Sequence, residues 1–263
     1  MRVRIIFGLT NKGATVPFHH QFLLANLIQS LVDRTGGKYQ NFNMFNFSGL
    51  KGQTKVGKEG LHFYSNKVTL VLSSPEEEFI RSFVDVLFKQ PQVEIGKLLL
   101  VPLNVETEAA PDLSSGEVKY ICISPLVIIN PLPEGADAKK FISPLMDVFS
   151  DMLYESTMFR MEKSGMFTTE EIASFYKFQV LPDKNYLSKI KEEEKKFARI
   201  FPVFHNREKY EVRGYTFPFT LYADPKVQQF VWDCGLGIFT YKGFGMVDLA
   251  NADPNQRTIP YEF

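Results

Sequence analysis

Alternation at every second residue opens the chain. Val3, Ile5, Phe7 and Leu9 share one side, with Arg2 and Arg4 on the other, which predicts a half-buried strand over 3–9. Thr15-Val16-Pro17 is a helix-start signal, and apolar residues at 18, 22, 24, 27, 28, 31 and 32 predict a helix over 18–33. Two strands, 44–50 and 61–73, flank the lysine-rich 51–60. Ser74-Pro75-Glu76-Glu77 reads as a capping box with proline at the first helical position, ahead of a stripe formed by Phe79, Ile80, Phe83, Val84, Leu87 and Phe88. A strand over 98–105 closes a β-α-β-β-α-β order.

The second half repeats the order without repeating the sequence. A strand is predicted over 118–129, a helix over 137–158, a strand pair over 201–206 and 210–222, a helix over 224–234 and a last strand over 244–249. Residues 159–200 read as an insertion whose charged run at 192–196 faces solvent. The stretch 106–116, with Ala109-Ala110-Pro111 and Ser114-Ser115-Gly116, is the best boundary. The expectation is an α+β chain of two tandem ferredoxin-like (RRM-like) βαββαβ domains, 1–112 and 113–263.

Composition narrows the class. A chain of 263 residues with 44% hydrophobic content has ample material for a packed core. No apolar run approaches the roughly 18 residues of a membrane span, and the N-terminus lacks a signal-peptide core, so a cytoplasmic protein is expected, with no membrane partner. Cys122 and Cys234 stand far apart in apolar contexts and support neither a disulfide framework nor a zinc site; no metal or cofactor is expected. Net charge is zero, yet residues 1–74 hold nine Lys and Arg against two acids, a local +7 suited to phosphates. A merely solvated face is the alternative for any single lysine.

The candidate chemistry lies near the C-terminus, where Gly235-Leu236-Gly237 and Gly243-Phe244-Gly245 frame a basic, aromatic insert containing Tyr241 and Lys242. Glycines let backbone N–H groups approach an anion, while Tyr241 and Lys242 project beside it. The glycines follow a helix and precede a strand, the reverse of a dinucleotide fingerprint, and no Gly-Lys-Ser/Thr ending makes a Walker loop. Taken singly, each glycine also fits a helix C-cap or β-turn.

A tandem ferredoxin-like chain ending in this double Gly-x-Gly loop resembles the CRISPR-associated repeat-RNA processing endoribonucleases, within the repeat-associated RNA-binding superfamily. Val16-Pro17-Phe18-His19-His20-Gln21 is similar to the family's entry into the first helix, Phe45-Asn46-Phe47-Ser48 resembles its second strand, and 214–246 looks like its C-terminal strand, helix and glycine loop. The resemblance implies binding of precursor CRISPR RNA at its repeat, a single metal-independent cut by 2′-OH attack, and association with CRISPR interference complex subunits. A noncatalytic family member that holds CRISPR RNA is the alternative, and an unrelated ferredoxin-like regulatory or ligand-binding protein is a third.

The chain departs from the family at one place. Many members of the family carry a catalytic histidine between the first helix and second strand, often with a tyrosine late in the helix and a lysine before the strand. Here 31–44 holds no histidine, Gln29 stands near the tyrosine position, and Lys38 and Tyr39 remain as helpers. Topology offers a substitute, since the start of the first helix, the turn between strands two and three and the start of strand three lie at one end of the sheet. His19, His20 and His62 are therefore the candidate catalytic residues, with Lys51, Lys55 and Lys58 holding phosphate. Each histidine also has a bland reading: His20 packs a turn ahead of Leu24, His62 is a surface strand residue, and His205 is incidental. Phe45, Phe47, Tyr64, Tyr215 and Phe217 are candidates for base stacking, with core packing as the alternative.

Overall fold

The computed structural model describes residues 1–129, 142–193, 198–205 and 208–263, with only the backbone described at 204, 205 and 208–210. Two compact units emerge. The first comprises Met1–Ala110, Tyr241–Gly243 and Asp253–Phe263; the second comprises Pro111–Thr240 and Phe244–Ala252. Among the described residues no helix is long and apolar enough to cross a membrane.

In the first unit the opening alternation forms β1 (Arg2–Leu9), with Val3, Ile5 and Phe7 fully buried. Then come β2 (Thr15–Val16), α1 (Gln21–Val32), β3 (Asn46–Phe47), β4 (Thr54–Val56), β5 (Leu61–Phe63), β6 (Lys67–Ser73), α2 (Glu77–Phe88), β7 (Val93–Ile95) and β8 (Leu98–Glu108). The main sheet runs β8-β1-β6-β3 with every pair antiparallel, the strand order of a ferredoxin-like domain. Phe79, Ile80, Phe83, Val84 and Leu87 of α2 are buried, as their 3.6-residue spacing requires, and join α1 and the inner side of the sheet in one core. Residues 258–260 add a C-terminal strand to the outer edge of β8.

Several details differ from the sequence reading: Thr15-Val16, read as a helix start, forms β2, α1 begins only at Gln21, and the lysine-rich connection contains β4. Ser74 does not build a capping box: Glu76 is the N-cap of α2, and the Ser74 hydroxyl accepts from the Glu76 N–H and donates to the Met44 carbonyl. The strand expected over 61–73 breaks at Tyr64-Ser65-Asn66. Its first part, β5, leaves the main sheet and joins a small three-stranded sheet, β2-β5-β4.

The second unit contains β9 (Glu117–Cys122), β10 (Leu126–Val127), α3 (Val148–Ser164), α4 (Thr169–Ser174), β11 (Phe178–Pro182), α5 (Lys184–Glu192), β12 (Ala198–His205), β13 (Glu208–Tyr215), β14 (Pro218–Ala223), α6 (Pro225–Cys234) and β15 (Val247–Leu249). Its four-stranded sheet runs β11-β14-β9-β15, again the ferredoxin-like order and antiparallel throughout. The expected strands two and three are corrected. Strand two is β11, from within the supposed insertion, and the 198–215 hairpin pairs instead with β10 in a separate sheet. Thr216 and Phe217 divide β13 from β14, so the single strand expected over 210–222 serves two sheets. The helix expected over 137–158 spans 148–164; residues 137–141 of the expectation, and Asn206 and 194–196 of others, lie outside the described residues.

Candidate functional site

In the first unit the chain from Gly13 to Val16 pairs with β5, the second strand of the β4–β5 hairpin. In the small sheet Thr15, His62 and Lys55 pair abreast, which places the three side chains on one face. His62 is half-buried, and its Nδ1 lies 2.9 Å from the Gly13 carbonyl. In a neutral ring Nδ1–H donates to that carbonyl and the lone pair sits on Nε2, the arrangement a proton acceptor needs. Gly57 makes room for this ring, because a Cβ there would collide with Nε2. Lys55 is exposed, and its ammonium sits 5.2 Å from the centre of the Tyr64 ring. Lys58 is exposed in the hairpin turn, which the Gly57 N–H closes by donating to the Gly60 carbonyl.

His19 is partly exposed, whereas His20 is 4% exposed and fully engaged. The Leu50 N–H donates to His20 Nε2 at 3.2 Å, and Nδ1–H donates to the Pro17 carbonyl at 3.1 Å. The cause is a bulge. Asn46 and Phe47 pair with Ser73 and Leu72, but Lys51 pairs with Thr69, one residue out of step. The Leu50 amide falls out of the ladder and His20 satisfies it. Burial, reinforced by the neighbouring His19, holds the His20 imidazole below its ordinary value against the opposing bond to Pro17. This ring fixes the chain before Lys51 rather than offering a lone pair to a ligand.

The cationic field is smaller than residues 1–74 suggest. Arg2 forms a buried ion pair with Glu108 at 2.9 Å, Arg4 approaches the same carboxylate at 3.9 Å, and Lys38 pairs with Glu78. With α2 and β8 included, the first unit carries 14 Lys and Arg against 11 Asp and Glu, or +3. Tyr39 packs edge-on against Phe79 in the core, and Gln29 donates to Asp33. Of the five stacking candidates, Phe45, Phe47, Tyr215 and Phe217 are buried, and Tyr64 alone is exposed.

All four glycines of the C-terminal loop have positive φ: Gly235 at 78°, Gly237 at 83°, Gly243 at 84° and Gly245 at 71°. A side chain at Gly245 would meet the Leu236 carbonyl, and one at Gly243 would meet the Phe47 ring. The glycines thus admit the protein's own atoms. Several loop amides are likewise committed: Gly235 N–H donates to Val231, Leu236 to Gly245, Ile238 to Val127, Gly245 to Pro125 and Met246 to the Ser124 hydroxyl. This corrects the picture of a row of amides open to an anion. The insert itself keeps a cation, because Lys242 is partly exposed, lies 5.1 Å from the Tyr241 ring centre, and has its ammonium pushed down by burial. Tyr241 packs against the first unit's core, and burial raises its phenol.

Sequence reasoning missed the group that holds this loop. Arg160, on α3, donates to the carbonyls of Cys234 at 2.6 Å, Gly235 at 2.9 Å and Gly237 at 3.1 Å, and lies 5.3 Å from the Phe230 ring centre.

The family described as "CRISPR-associated protein Cas6, N-terminal" matches residues 15–105, and "CRISPR associated protein Cas6, C-terminal" matches residues 107–249. The chain belongs to the Cas6 family. Its similar relatives include "CRISPR-associated endoribonuclease Cas6 1" of Methanocaldococcus jannaschii, 26% identical over 94% of this chain and 92% of that protein. They also include Cas6nc of Pyrococcus horikoshii, an endoribonuclease-like protein, 23% identical over 95% and 99%. A solved Cas6-related protein from Pyrococcus furiosus superposes with a TM-score of 0.78 at 18% identity, covering 96% of this chain and 99% of its own. "An RAMP protein binding different RNA substrates" gives 0.78 at 20% identity over 95% and 100%. These two likenesses establish the Cas6 fold for both ferredoxin-like units.

Proposed function

We propose that this Cas6 family member binds precursor CRISPR RNA at its repeat and cuts there by metal-independent attack of a ribose 2′-OH on the adjacent phosphate. The observation that carries the reading is the row Thr15, His62, Lys55 on one face, with His62 Nδ1 against the Gly13 carbonyl, which leaves Nε2 of a neutral ring as the acceptor. His62 takes the proton of the 2′-OH as the new P–O bond forms. Lys55 stabilises the charge on the phosphorane, and His19, the partly exposed neighbour of the engaged His20, protonates the departing 5′-oxygen. The products are a 2′,3′-cyclic phosphate and a 5′-OH end. His20 serves by holding the bulge ahead of Lys51, and Lys51 and Lys58 attract the backbone. Gly235, Gly237, Gly243 and Gly245 shape the loop that presents Tyr241 and Lys242 to RNA. A half-buried ammonium gains from an anionic neighbour, which favours Lys242 as a phosphate contact.

A noncatalytic RNA-holding protein is the second reading. It is favoured by the lack of a histidine in 31–44 and by the main-chain bonds on both ring nitrogens of His20. One experiment separates the two. Labelled repeat RNA is incubated with the protein in EDTA, with and without a 2′-deoxy substitution at the cut nucleotide. Cleavage that the substitution abolishes supports the nuclease; tight binding with intact RNA supports the second reading; no association at moderate salt overturns both.

A further inference from the structure

Arg160 sits where a helix normally ends on its own turn chemistry. The last carbonyls of a helix have no intrahelical partner, and the C-terminal end carries partial negative charge. In α6 the Gly235 N–H completes a helical bond to Val231, but Gly235 then takes φ 78° and ψ 174°, a region essentially confined to glycine. The carbonyls of Cys234, Gly235 and Gly237 turn to one guanidinium instead. Arg160 places three N–H donations there and lies against the Phe230 ring, so the planar fork is fixed from two sides. Its charge is met by main-chain oxygens at the negative end of α6.

We infer that Arg160 is the positioning residue of the glycine loop, holding residues 234–238 in the conformation that binds RNA without contacting the RNA itself. This rests on the loop's proposed role in RNA recognition. A loop with four positive-φ glycines loses more conformational freedom on ordering than other residues would, and a single half-buried cation gathering three of its carbonyls supplies the restraint. A lysine keeps the charge but has a rotatable point cation in place of the fork, so it gathers fewer of the three oxygens.

The test uses the full chain as wild type, Arg160→Lys and Arg160→Met. Arg160→Lys keeps the charge and stem, and so serves if Arg160→Met does not fold. Hydrogen exchange by mass spectrometry is expected to show amides of 234–238 exchanging at least about tenfold faster in the variants, with those of Glu117–Cys122 unchanged. Affinity for a labelled CRISPR repeat RNA, measured well below the melting temperature, is expected to fall about 5- to 50-fold in Arg160→Met and less in Arg160→Lys. The slope of log affinity against log salt should stay that of the wild type, because no phosphate contact is removed. Unchanged exchange overturns the clamp. Faster exchange with wild-type affinity overturns the link to RNA, and a slope reduced by about one overturns indirect action in favour of direct phosphate contact. Wild-type protein that binds no repeat RNA defeats the proposed function instead, while the exchange comparison still decides the clamp.

Discussion

His20 and Leu50 are joined by a single hydrogen bond, from the Leu50 N–H to Nε2 at 3.2 Å, which ties the residue before α1 to the bulge that follows β3. The bond requires a neutral ring. Burial lowers the folded-state value below the ordinary 6.5, so between the two values the unfolded chain binds a proton that the folded ring refuses. Stability from this site is complete above about pH 6.5 and declines as pH falls toward the folded value. The melting temperature of wild-type protein should therefore drop between pH 7.5 and 5 more steeply than that of His20→Gln. Parallel curves would show that His20 does not carry the effect.

His62→Ala should slow repeat cleavage by about 10²- to 10⁴-fold, the range for loss of a positioned acid or base, with RNA affinity changed little. Lys55→Ala should lower both rate and affinity, and should reduce the salt slope by about one. Single-turnover cleavage and anisotropy titration read the two effects. Wild-type turnover in His62→Ala would remove this ring from the mechanism.

Gly36 and Gly243 have nearly the same φ, 82° and 84°, but different surroundings. An added methyl at Gly36 meets nothing within 4 Å; at Gly243 it meets the Phe47 ring. Gly36→Ala should cost about 1 kcal/mol in denaturant unfolding, from backbone conformation alone. Gly243→Ala should cost about 1–3 kcal/mol more through overpacking. Equal losses would mean that Phe47 yields freely.

Glu108 is 1% exposed at its side chain and faces Arg2 and Arg4. Glu108→Gln removes the charge that compensates a fully desolvated guanidinium, and should destabilise the protein by about 3–5 kcal/mol in urea titration. A loss below about 1 kcal/mol would show that Arg2 finds compensation elsewhere.

The elements that were legible in the sequence were those with long, uninterrupted periodicity. The alternation of Val3, Ile5 and Phe7 marked β1, and the stripe from Phe79 to Leu87 marked the buried side of α2. What failed to show were choices made by pairing. The strand patterns of β11 and of the 198–215 hairpin look alike locally, and only the partner, β14 for one and β10 for the other, decides which belongs to the ferredoxin-like sheet. At the candidate site, the pairing of Lys55 with His62 comes from the β4–β5 hairpin, which the expected strand over 61–73 does not contain, and the engagement of His20 depends on a bulge that no composition signals. Arg160 lay beyond sequence reasoning, because its partners are carbonyl oxygens 74 to 77 residues away.

The strand at residues 258–260, hydrogen-bonded to Glu106–Glu108, also gives the fold a temporal order. Synthesis runs from the amino end, so the 106–108 stretch of the outer margin of β8, beyond the part that β7 covers, is made early and its covering strand late. Throughout translation of the second unit, that margin stays an open template for stray β pairing. The first unit to be made is thus the last to be sealed, and Arg81, which donates to the Glu262 carbonyl and packs on Tyr261, latches it once the tail emerges.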